Sequence, residues 1–350
     1  MLLMGLLCPI NICFGQSRWD GGGGDDRWDN PANWLPDGVP AAGADVRIDN
    51  SLLNIGYTVT LPPGAITVDL NSLQVAPGPG LAIELVLPRG NTAVPGLRVT
   101  GARDALALEA GALFRNASGA AAGDVVQVAG NFRIANGARY LHQTARGNAS
   151  LIDRLSGTAG TEFGVFEFDV PGTAGYTVSL TGNTFGTLIF SAETAGGMKS
   201  YSGSGTSTLQ IRGHWIIRGG ASLTSTLSAN ILLRGNLEVD GNLQLNPTTS
   251  GTTGRSIFFM GAAGRVRGSG IISMNALFRN LEFFSGSSYH LDRNLILPLS
   301  QHRAMVHSGA TLHMQGFQID GAGTFTLDND GTLGIGSPEG ISAAGNIGNI

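Results

Sequence analysis

The sequence predicts an all-β chain wound as a right-handed parallel β-helix, a solenoid with a coil period of about 22 residues, on three observations. First, 54 of the 350 residues are glycine, about twice the ordinary share, too many for helices and well suited to tight turns. Second, apolar residues alternate with polar ones in short runs, the strand period. Third, two such runs repeat without a gap. Hydrophobic content is 42% and charged content 13%, which excludes a disordered polar chain.

The first fifteen residues, MLLMGLLCPINICFG, are apolar, uncharged and too short to span a membrane. They read as a secretory signal, 1–15, cleaved after Gly15, with Cys13 and Gly15 at the small-residue positions. The usual basic start is missing. Cys8 and Cys13 are the only cysteines, so the mature chain would have neither disulfides nor thiol chemistry. No later segment is long and apolar enough to cross a membrane as a helix.

Residues 16–50 form a distinct opening segment, RWDGGGGDDRWDNPANW and beyond, with three of the four tryptophans. The first coil of a β-helix has an exposed edge and an open core, both of which invite aggregation unless covered. Trp19, Trp28 and Trp34 suit a structural cap over that end, near the strand at Val46–Ile48. Gly21 to Gly24 let the backbone double back, and Asp29, Asn30 and Asn33 end turns. A calcium site competes for the same residues. GGGGDDRWD satisfies the letter of a calcium-binding nonapeptide, in one copy, and Asp20, Asp25, Asp26 and Asp29 are hard oxygen donors.

Residues 51–350 carry the repeats. LQIRGHWIIRGGASL (209–223) aligns with ILLRGNLEVDGNLQL (231–245) at a shift of 22. Leu209 falls on Ile231, Ile211 on Leu233, Trp215 on Leu237, Ile217 on Val239, Ala221 on Leu243 and Leu223 on Leu245. Looser copies begin at Ile257, Leu312 and Val125, with strand fragments at 57–61, 176–180 and 187–190. Asp104–Phe114 is the nearest approach to a helix, but its alternation followed by Gly111 suits a strand and turn. Three strands and three turns per coil give room for roughly thirteen coils. The inward residues are Ile211, Leu233, Leu237, Val239, Leu243 and Leu245, with Arg234, Glu238 and Gln244 outward. The alternative is a β-sandwich array, which short, evenly spaced strands also fit.

The W-D-G-G-G-G-D-D-R-W-D-N-P-A-N-W segment, followed by Val39-Pro40 and ADVRI, resembles the N-terminal opening of large secreted bacterial β-helix surface proteins, autotransporter-passenger-like or exported by the Bacteroidetes type IX route. GTLGIGSPEGISAAGNIGNI at the end is similar to their repeat-end segments. The resemblance implies a secreted or outer-surface, adhesin-like protein of a bacterium. Such families carry a C-terminal sorting domain or membrane barrel; this sequence stops at Asn349-Ile350 within repeat-like sequence, so it reads as the first part of a longer protein.

Chemistry is thinly signalled. The net charge is −4 and Lys199 is the only lysine, so a nucleic-acid partner has no basic patch to bind. His302, His307 and His313 lack zinc-site spacing and read as structural. Asp328–Gly331 opens like an EF-hand loop but reads as a turn. Glu238 and Asp240 with Arg212 and Arg234, and Asp240 beside Arg218, are the best carboxylate–arginine set for glycan cleavage; the preferred reading is a surface charge ladder. No catalytic residue and no cofactor is assigned. The expected function is a structural, adhesin-like surface protein that meets glycans or envelope proteins. The alternatives are a β-helical carbohydrate-active enzyme, a polysaccharide lyase or glycosidase, and a carbohydrate-binding surface protein.

Overall fold

The computed structural model describes residues 16–248, 255–341 and 347; the signal segment, 1–15, lies outside the described residues. The chain is a parallel β-solenoid of about 12 turns, which removes the β-sandwich alternative. Its spine is a 12-stranded sheet running from Tyr57–Thr60 to Thr332–Ile335, with one strand per coil. Sheets of eight, seven and five strands form the other sides. Among the described residues only one strand pair is antiparallel, Ser17–Trp19 with Trp34–Leu35.

The aligned repeat stacks as neighbouring coils. Leu209 pairs with Ile231 and Ile211 with Leu233; Trp215 pairs with Leu237 and Ile217 with Val239. The expected inward set is buried throughout, Leu237 at 2% exposure and Leu233, Val239 and Leu243 at 0%. Gly213 and Gly235 meet at the corner, where a Cβ on Gly235 would lie 2.2 Å from the Gly213 carbonyl oxygen. Only glycine lets the two coils close to the sheet spacing there.

The constant period of 22 needs correction. On the third side Leu223 pairs with Leu243, and not with Leu245, a shift of 20. The next coil sets Ile231 beside Ile257, 26 residues on, and Leu237 beside Val266, 29 on. Strands must keep inward residues stacked, whereas the turns between them lie outside the hydrogen-bonded ladder and vary in length.

Asp104–Phe114 resolves as a strand, Leu106–Leu108, a turn with Gly111 at φ +84°, and the start of the next strand, Ala112–Asn116. Among the described residues the one α-helical turn spans Ala149–Ile152. The core is a single column of Val, Leu, Ile and aromatic side chains from Trp19 to Ile319. Its middle is aromatic: Tyr140 touches Phe114, Phe132 and Phe166 at centroid distances of 5.4, 5.3 and 4.8 Å.

Candidate functional site

The opening segment is tied into the solenoid. Ser17 and Arg18 pair in parallel with Val46 and Arg47, and Trp19 pairs with Trp34. The three tryptophans are buried and pack edge to face, Trp34 at 5.1 Å from Trp19 and 4.6 Å from Trp28. Trp34 Nε1 donates to the Trp28 carbonyl at 2.8 Å, so the polar edge of the buried ring is satisfied. Asn30 caps the 3-10 turn Pro31–Asn33 by accepting from the Ala32 amide.

The four aspartates of this loop turn to different partners. Asp20 accepts from the Gly22 amide. Asp25 accepts from Asn30, Asn33 and the Arg27 amide, and the two asparagines hold its carboxyl below the usual range. Asp26 accepts from the Thr60 hydroxyl at 2.7 Å, stitching the loop to the strand Tyr57–Thr60. Asp29 holds Arg27 through two hydrogen bonds. Among the described residues no three His, Cys, Asp or Glu side chains are placed to hold a metal ion. Each of the four aspartates has a hydrogen-bond partner in the loop or on the neighbouring strand.

The carboxylate–arginine set does not assemble either. Glu238 pairs with Arg267 of the following coil at 2.5 Å, and Asp240 accepts from the Ser269 amide. Arg212 reaches backwards to the Gly157 carbonyl and to Glu162 at 3.8 Å. The histidines separate. His302 is buried against the Asn275 carbonyl, and His313 stacks on His290 at 4.3 Å. His307 sits between Glu282 and Asp328. Asp328–Gly331 is a turn closed by the Gly331 amide on the Asp328 carbonyl.

A concavity lies elsewhere. A groove of about 520 Å³ crosses the turns of successive coils and is lined by Arg89, Ser118, Gln143, Thr144, Arg146 and Thr194, with small residues between them. Buried polar side chains hold its walls. Asn91 donates to the carbonyls of Pro62 and Ile66, and its own carbonyl accepts from Ser118 Oγ. Thr144 Oγ1 donates to the Ser118 carbonyl at 2.9 Å. The Tyr176 hydroxyl donates to the Arg146 carbonyl at 2.5 Å and accepts from Asn148.

His142 is fully buried between the hydroxyls of Tyr140 and Tyr176, and burial pushes its pKa down to about 4, so it is neutral at pH 7. Behind the lining residue Gly172, Lys199, 2% exposed, donates to the carbonyls of Gly172 at 2.8 Å and Ala174 at 2.7 Å. A buried ammonium needs such partners. Asp169 beside it accepts from Gln143 and the Thr194 amide.

Sequence reading missed this groove because its residues fall on several successive turns with no shared local motif. Two signals were present. Lys199 is the chain's single lysine, and Ser118 and Thr144 stand 26 residues apart, the spacing of paired strands in that region such as Tyr140 and Phe166.

Comparison with known proteins adds no relative: no protein-family model matches the chain, and neither a curated protein nor a solved structure does.

Proposed function

We propose that this chain is a non-catalytic β-helical shaft displayed on or secreted from a bacterial surface, structural and adhesin-like in role. The observation that carries the reading is the use made of outward charges. Glu84 is bridged to Arg115, Asp69 to Arg98, Glu109 to Arg133, Glu238 to Arg267 and Asp292 to Arg265, each pair from a different coil. Carboxylates so engaged stitch coils together; a catalytic pair would face a common cleft instead. The absence of cysteine after residue 15 suits an exported chain that folds without disulfides.

In this reading the solenoid is right-handed, the rule for parallel crossovers, and the tryptophan cluster is a lid on its first coil. Export by the type IX or autotransporter route remains part of the proposal through the sequence resemblance. Surface shaving of the producing cells with protease should release peptides of 51–350 from intact cells. Release only after lysis would overturn display. Incubating the pure chain with neutral and acidic polysaccharides should release no new reducing ends. Turnover would return the carbohydrate-active enzyme reading to first place. The carbohydrate-binding reading is favoured by one feature, the groove.

A further inference from the structure

We infer that the groove over Ser118 and Thr144 is a binding site for an extended acidic glycan, held by the guanidinium groups of Arg89 and Arg146 on a floor fixed from within the solenoid. The inference deepens the adhesive reading and rests on it for its biological setting.

The groove is lined from equivalent turns of successive coils: Arg89, then Ala117 to Ala120, then Gln143 to Arg146, then Pro171 and Gly172. The stacking is read from the bonds between them, Gly119 amide to Asn91 carbonyl and Thr144 hydroxyl to Ser118 carbonyl. It therefore runs along the solenoid axis and is open rather than enclosed. Four turns at about 4.8 Å each give a track of roughly 14 Å from first to last. A chain molecule fits such a track better than a compact metabolite, which favours an enclosed pocket.

Charge comes next. Arg89 is exposed, and its guanidinium has no partner among the described residues. Arg146 uses one N–H on the Ala121 carbonyl and keeps others for a ligand. The two arginines stand two coils apart, about 10 Å along the axis. Among the described residues no carboxylate lines the groove: Asp169 is 2% exposed and turned to Gln143 and Thr194, while half-buried Asp124 beside Gly147 and exposed Glu193 beside Thr194 lie outside the lining. The groove thus offers two spaced cations, a match for a chain with sparse, regular anions. A dense polyanion such as nucleic acid gains little here, because the whole chain carries a net charge of −4.

The groove is rigid. The wall turns are pinned by polar groups: buried Asn91, Ser118 and Thr144, the half-buried Tyr176 hydroxyl on the Arg146 carbonyl, and Lys199 on Gly172 and Ala174. Such anchoring lowers the ordering cost of binding. Ala117, Gly119, Ala120, Ala145 and Gly172 leave the track clear.

The test is calorimetric titration of the full chain with an oligogalacturonate hexamer, a sulfated hexasaccharide and a neutral hexasaccharide. Saturable binding is expected for an acidic hexamer, weakening steeply with salt, and the tighter of the two acidic probes identifies carboxylate or sulfate as the anion recognised. Arg89→Gln and Arg146→Gln should each weaken it about tenfold, the scale of one charge-assisted contact. Ala145→Trp, at an exposed position, should block the track without touching the core. Equal binding of the neutral probe, unchanged affinity in the three variants, or no saturable binding of either acidic probe would overturn the site. Cleavage of the hexamer during titration would instead overturn the non-catalytic reading, so the two failures are distinct.

Discussion

Glu282 Oε2 lies 3.1 Å from His307 Nε2 on the next coil, and the other ring nitrogen of His307 lies 2.9 Å from Asp328 on the coil after that. One imidazole so clasps three coils. Its outer face packs on Phe284 at 4.8 Å, and Phe284 on Phe258 at 4.7 Å.

The clasp sets a pH dependence. Burial opposes the charge on His307, but the hydrogen bonds to Glu282 and Asp328 outweigh it and raise its pKa above 6.5. A raised folded-state pKa stabilises fully below the unfolded value and loses that contribution as pH rises through the folded one. NMR titration should place the His307 midpoint above 6.5 and that of His290, lowered by burial and by His313, below it. Glu282→Gln should move the His307 midpoint down. A wild-type midpoint at or below 6.5 would sink the clasp.

The core makes a sharper forecast. Leu237 is 2% exposed, and its neighbour Glu238 points outward to Arg267. Leu237→Ala should cost about 2–5 kcal/mol, and Leu237→Asp should prevent folding by burying an unpaired charge. Glu238→Gln should cost less than about 1 kcal/mol. Urea unfolding followed by circular dichroism distinguishes them; similar losses at both positions would show the register to be wrong.

At the opening end, Trp34→Ala should cost about 3–5 kcal/mol, because its ring is fully buried and central to the three. If the cluster is a lid, the variant should also associate end to end, seen as larger species by light scattering. A chelator should leave the melting temperature of the wild type unchanged. A chelator-induced drop matched by Asp26→Ala would restore the calcium site.

Acid should loosen the same end. Burial works against ionised Asp49, yet Ser51, Arg47 and Arg18 hold its pKa at about 2. A depressed pKa stabilises above the unfolded value, near 3.9, and that stability is lost as pH falls towards 2. With both arginines partly exposed and screened, the loss should be on the order of 1–2 kcal/mol. Asp49→Asn should flatten the stability curve between pH 4 and 2. A variant curve that still falls as steeply would assign the acid sensitivity elsewhere.

Much of the fold was legible because a strand declares its buried side every second residue. That alternation marked Ile211, Leu233, Leu237, Val239, Leu243 and Leu245 as inward, and the gapless repeat of 209–223 in 231–245 marked two neighbouring coils. The third-strand register was not legible. Leu223 meets Leu243 because the turn at Gly241 is tight, with a Cβ there only 2.1 Å from the Ala221 carbonyl oxygen, and alternation suits a slip of two residues equally well.

By itself the sequence determined the class of fold and the side each strand residue faces, since both depend on neighbours one or two positions away. Tertiary structure alone decided which outward charges meet. Glu238 found Arg267, 29 residues on, and not Arg212 or Arg234. Lys199 found Gly172 and Ala174, and His307 found two carboxylates on other coils. Those meetings depend on the length of each turn, which sets the height at which every side chain arrives on the stack. Local pattern carries no record of that height, so the groove and the clasp emerge only when the coils are stacked.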